Sequence, residues 1–77
     1  MYYETLALIE EADDLSAEEY RAARRMLDLA DEQNGHLHLT REQACTLCKV
    51  GSWASVRRML NHIREAGIML HHTNNQA

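Results

Sequence analysis

The stretch 39–69, LTREQACTLCKVGSWASVRRMLNHIREAGIM, carries its own punctuation. Thr40 and Gln43 have the spacing of a capping box, in which a hydroxyl accepts an amide N–H and the N3 side chain returns the bond. A helix should therefore run from Arg41 to about Cys48. Ala44, Leu47 and Cys48 form its inward stripe. KVGS breaks it: Gly51 supplies backbone freedom and Ser52 is a good N-cap. A further helix is expected from Trp53 to about Ala66, with Val56, Met59, Leu60 and Ile63 buried. Gly67 stops it as a C-cap glycine.

The upstream half reads in the same way. Tyr2, Leu6 and Ile9 fall on one face of a short helix over Tyr2–Ala12, and ADDLS breaks it. Ser16 with Glu19 is a second capping box, so another helix starts there. Tyr20, Ala23, Met26, Leu27 and Ala30 line its apolar face. The other side holds Arg21, Arg24, Arg25, Asp28 and Glu32, with Arg24 and Asp28 at i,i+4 spacing. Asn34-Gly35 is the expected end, because both residues tolerate a left-handed backbone. HLHL alternates with a strand period, Leu37 and Leu39 inward and His36 and His38 outward. IMLHH reads as a second strand and TNNQ as a turn. Two isolated strands cannot stay unpaired, so these two should pair with each other.

Seventy-seven residues make one domain, 1–77, with a small core. No apolar run approaches the roughly 20 residues that span a bilayer. The start, MYYETLALIEEADD, has no basic n-region and does not read as a signal peptide. Two cysteines make no disulfide framework, and a reduced cytoplasmic protein is expected. The net charge of −4 hides a split: residues 1–34 carry −7 and residues 35–77 carry +3. Such asymmetry marks either a polyanion-facing surface on an acidic body or an uneven scatter of solvated charge.

Residues 16–72 resemble a winged helix-turn-helix domain. The carriers are the strand exit LT, small Ala44 in the first motif helix, the VGS turn, SVRRML and REAGIM. The GSWASVRR wording is most similar to small phage or plasmid modules that control replication or transcription. The resemblance implies a mainly α fold with a small β-hairpin, extended by an N-terminal helix over residues 1–14 that acts as a packing or dimerisation arm. Two departures stand out. The stretch from Ala44 to Val56 is a residue or two longer than the tightest helix-turn-helix. The wing is also truncated at Ala77: either it is rudimentary, or the chain is the N-terminal part of a longer protein.

A recognition helix over about 53–66 would turn its core stripe inward and its polar stripe into the major groove of double-stranded DNA. The stripe opposite Val56, Leu60 and Ile63 holds Ala54, Arg58, Asn61 and Glu65, flanked by Arg57 and His62. Arginine and asparagine read guanine and adenine edges in bidentate fashion, so Arg58 and Asn61 are the expected base readers. Small Ala54 and Ser55 permit close approach. Thr40, Arg41, Lys49 and Ser52 sit at helix starts or in the turn, where phosphates are commonly bound. The function implied is sequence-specific DNA binding as a transcription or replication regulator, working as a homodimer. Against it stands an ordinary solvated helix face. A third possibility is a protein-interaction module on the same scaffold, favoured where Glu42, Glu65 and the acidic first helices interrupt the basic face.

Other chemistries are less well supported. Cys45, Cys48 and the five histidines invite a zinc site, but zinc wants four tetrahedral ligands and this CxxC falls inside a helix. Cys48 is expected as a core residue, with no metal and no cofactor. Trp53 lies on the shoulder of the core, either packed on the third helix or stacked on a sugar or a dimer partner. No Gly-rich phosphate loop, nucleophile elbow or inward carboxylate pair is present, so an enzyme is not expected.

Overall fold

The computed structural model describes residues 2–33 and 37–68, and the backbone of 72–74. The fold is mainly helical: α1 (Tyr2–Glu11), α2 (Ala17–Glu32), β1 (Leu37–Leu39), α3 (Arg41–Cys48), α4 (Trp53–Glu65) and β2 (His72–Asn74). Both capping boxes form. Ser16 Oγ accepts the Glu19 N–H and Glu19 accepts the Ser16 N–H, and Thr40 and Gln43 repeat the exchange. Ser52 caps α4 by accepting the N–H of Ser55.

Helices α3 and α4 end in the same way. After α4 the Gly67 N–H bonds to the Arg64 carbonyl and the Ile68 N–H to the Ile63 carbonyl, with Gly67 at φ 89°. After α3 the Lys49 N–H bonds to Thr46 and the Val50 N–H to Cys45, with Lys49 at φ 58°. These are paired 5→2 and 6→1 closures around a left-handed residue. The freedom expected at Gly51 is thus exercised two residues earlier, by a lysine, and Gly51 keeps a negative φ.

The core is one cluster. Ile9, Met26, Leu37, Val56, Ile63 and Ile68 are its largest fully buried side chains. Ala22, Ala23 and Ala30 on α2 and Ala44 on α3 let the helices come close. Ala22 was not among the residues expected inward and is fully buried. Helix α1 lies against α2 through Ile9 and is tied there by polar contacts. Tyr2 donates to Asp28 at 2.8 Å, and Glu10 accepts from Tyr20 at 2.7 Å and Arg24 at 2.9 Å. Arg24 thus reaches across to α1 rather than down its own helix to Asp28.

The strands correct the expectation of a β-hairpin. β1 and β2 run parallel, Leu37 opposite His72 and Leu39 opposite Asn74, so α3 and α4 form the crossover. Parallel strands require such a crossover, whereas a hairpin joins antiparallel ones. Leu37 and Leu39 point inward and His38 outward, as the alternation implies. Of the stretch IMLHH, Met69, Leu70 and His71 lie outside the described residues, and His72 opens β2. Ile68 is consumed in closing α4, and Thr73 and Asn74, expected in a turn, belong to β2. His36 and the Asn34-Gly35 stop fall outside the described residues; α2 is seen to end at Glu32, with Gln33 closing it.

Candidate nucleic-acid interface

The outward side of α4 is set by what it buries. Val56, Met59 and Ile63 face the core and Leu60 is half-covered. At 100° per residue the opposite stripe carries Ala54, Asn61 and Glu65. Ala54, Arg57, Arg58, Asn61, Arg64 and Glu65 are all exposed. The two flanks differ. Arg57 and Arg64, seven residues apart, share the flank of Trp53. Arg58 lies on the other flank, where it lines a shallow cleft with Ser55, Glu18 and Glu19.

The N-terminal turn of α4 is laced by hydroxyls. Ser52 Oγ and Ser55 Oγ are 3.1 Å apart, and Arg58 Nη2 donates to Ser55 Oγ at 3.1 Å. This draws Arg58 back along its own helix and occupies Ser55. His62 is also occupied: its Nδ1 lies 2.8 Å from Glu19 Oε2 on α2. A residue grouped by sequence with the DNA-facing set therefore holds α4 to α2. The hydrogen bond to Glu19 and then that carboxylate's charge raise the His62 pKa, while burial opposes them. For Glu19, burial pushes the carboxyl up; the bonds from the Ser16 N–H and from His62 outweigh it and leave the pKa lowered.

Thr40 is half-buried in its capping box, and Arg41 follows as the first residue of α3. The Arg41 guanidinium carbon stands 5.4 Å from the centroid of the Trp53 ring. Trp53 is half-buried against the core, so its shoulder position packs on the third helix. Lys49 is exposed in the turn.

Apart from the His62–Glu19 link, charge pairing separates the two halves of the chain. On α2, Arg24 pairs with Glu10 and Arg21 lies 3.7 Å from Glu18, while Arg25 reaches the Leu47 carbonyl at the end of α3. Among the described residues Arg41, Lys49, Arg57, Arg58 and Arg64 have no carboxylate within 4.0 Å. The chain has twelve carboxylates to offer. Arg64 was absent from the expected set, yet its i+7 relation to Arg57 already put both on one flank. The acidic residues Glu42 and Glu65 are exposed on α3 and at the end of α4.

Cys48 is buried at 4% exposure and Cys45 is half-buried on the same helix. Burial, then the charge of Cys45, raises the Cys48 thiol pKa. Among the described residues no group of three His, Cys, Asp or Glu side chains is placed to hold a metal ion, and no helix is long and apolar enough to cross a membrane. No protein-family model, no curated protein and no solved structure matches the chain.

Proposed function

We propose that this chain is a DNA-binding domain of winged helix-turn-helix type, with a parallel strand pair in place of the hairpin wing, that presents α4 to the major groove of double-stranded DNA as a regulator of transcription or replication. The observation that carries the reading is the charge partition. On α1 and α2, Glu10 and Glu18 pair with arginines of α2, Asp28 accepts from Tyr2, and Glu19 holds His62 of α4. Arg41, Lys49, Arg57, Arg58 and Arg64 on α3, α4 and their turn stay clear of every carboxylate among the described residues; of the bases there only His62 is paired, with Glu19. On a duplex those bases would replace cations condensed along the phosphates, and release of those cations drives binding.

Roles follow from position. Asn61, central on the outward stripe with small Ala54 about two turns before it, reads base edges. Arg58 reaches the same groove after leaving Ser55. Arg57 and Arg64 follow one strand, and Arg41, Lys49, Thr40 and Ser52 meet phosphate and fix the register. His62 takes no part at the DNA and anchors α4. Two copies would act together on paired half-sites, in the cytoplasm at the nucleoid.

A second reading rests on Glu65. It lies at the centre of the outward stripe, where it would oppose phosphate and suit a basic side chain of a partner protein. Selection from a random duplex library at low salt separates the two. Enrichment of a motif lost in Asn61→Ala supports DNA reading. No enrichment, with a protein captured through α4, supports the module.

A further inference from the structure

We infer that Trp53 is a positioning residue, whose ring holds the Arg41 guanidinium ready for one phosphate of the bound duplex. The inference rests on the DNA-binding reading above and names how one of its contacts is prepared. Both partners are fixed at their roots. Arg41 is the first residue of α3 behind the Thr40–Gln43 capping box, and Trp53 is the first residue of α4 behind Ser52. The tryptophan is half-buried against the core, while Arg41 is exposed.

The stacking distance of 5.4 Å puts the cation over the ring face. With the cation over the ring, none of its N–H donors is taken by a carboxylate or carbonyl among the described residues. An arginine stem carries large rotamer freedom, which a free side chain loses on binding. A stacked one has lost it beforehand. Its planar fork is the geometry that meets a phosphate with two parallel bonds.

A second stacked arginine in the same chain supplies the contrast. Arg24 lies 5.9 Å from the Tyr20 ring, but its Nη1 is already bonded to Glu10 and to the Tyr20 hydroxyl. That stack serves the α1–α2 contact. Among the described residues the Arg41 stack closes no ion pair, which leaves its donors for a ligand. Arg57 and Arg64 have no ring beneath them among the described residues.

The test is duplex binding by fluorescence polarisation over a salt series, with Trp53→Leu, Trp53→Phe, Arg41→Ala and the double variant Trp53→Leu/Arg41→Ala. Arg41→Ala should weaken binding roughly threefold to tenfold and flatten the log–log salt slope by about 0.9, the signature of one phosphate. Trp53→Leu should lose most of the same affinity. The double variant should be no worse than Arg41→Ala alone, and Trp53→Phe should fall between. Arg41→Ala should also shift the emission of Trp53, the sole tryptophan, in the unbound protein. Losses that multiply in the double variant, or an unchanged affinity in both Trp53 variants, overturn the inference while leaving DNA binding intact. If Trp53→Leu does not fold, Trp53→Phe against Arg41→Ala decides by the same criterion. A wild-type chain that binds no duplex at about 50 mM salt overturns the DNA reading and this inference together.

Discussion

His62 Nδ1 on α4 lies 2.8 Å from Glu19 Oε2 on α2, and the same Glu19 closes the capping box of α2 by accepting the Ser16 N–H. One carboxylate thus starts one helix and holds another. The side chain of Glu19 is only 14% exposed while that of His62 is 41% exposed, so the link is a partly covered one at the edge of the core.

This link gives stability a pH window. The folded-state pKa of His62 is raised, so its contribution is fully present below the unfolded value of 6.5 and is lost as pH rises through the folded value. The folded-state pKa of Glu19 is lowered, so its contribution is present above the unfolded value of 4.5 and is lost as pH falls through the folded value. The pair should stabilise most between those limits. Glu19→Gln should keep the start of α2, as Gln43 does for α3, yet remove the loss on the alkaline side. Urea midpoints across pH for the two proteins measure this; parallel curves would refute it.

Lys49 holds a left-handed backbone that costs a side-chain-bearing residue about 1–2 kcal/mol relative to glycine. Lys49→Gly should therefore stabilise the fold, by about 1 kcal/mol, while weakening duplex binding and flattening its salt slope by about one unit. A variant of higher stability and lower affinity would show that the lysine is kept for its charge. Thermal melts and polarisation on the same sample give both numbers, and an unchanged affinity would assign Lys49 no contact.

Ile9 makes α1 part of the fold. It is fully buried between α1 and α2, and Tyr2 and Leu6 pack beside it. Ile9→Ala should cost about 2–4 kcal/mol, a large share of the stability of a chain this size. A change below about 0.5 kcal/mol would mean that α1 is a detachable arm. Its outward side keeps Tyr3 and Leu8 exposed, the large apolar side chains of α1 left for another surface.

The two thiols should react at different rates. Burial raises the Cys48 pKa and hides its sulfur, so iodoacetamide should label Cys45 first in native protein and both after unfolding. Mass spectrometry of timed samples measures the order. Equal native rates would place Cys48 outside the core.

Helix starts were legible because a capping box is local chemistry: Ser16 with Glu19 and Thr40 with Gln43 set α2 and α3 to the residue. The inward stripe of α4 was legible from its period. What escaped was decided between elements. Strand direction depends on where the crossover of α3 and α4 delivers the chain, and Ile68 is buried in the closure of α4 rather than in a strand. Arg24 pairs across helices, with Glu10, although its own helix offered Asp28 at the right spacing. His62 looked outward on a wheel of α4 alone; only the approach of α2 supplied Glu19. The left-handed residue of the turn fell on Lys49, although Gly51 is the residue type that tolerates it best, because the closure pattern counts back from the last turn of α3.

We infer that the arginines of α3 and α4 and Lys49 of their turn bind a nucleic-acid backbone. A polarisation titration of a labelled random duplex pool against the wild-type chain, repeated over a salt series, tests it most directly. With Arg41, Lys49, Arg57 and Arg64 on phosphate, log affinity should fall against log salt with a slope of about −3 to −4, and Arg57→Ala with Arg64→Ala should remove about half of it. A duplex that does not bind at the lowest salt, or binding whose slope those two substitutions leave untouched, would contradict the account.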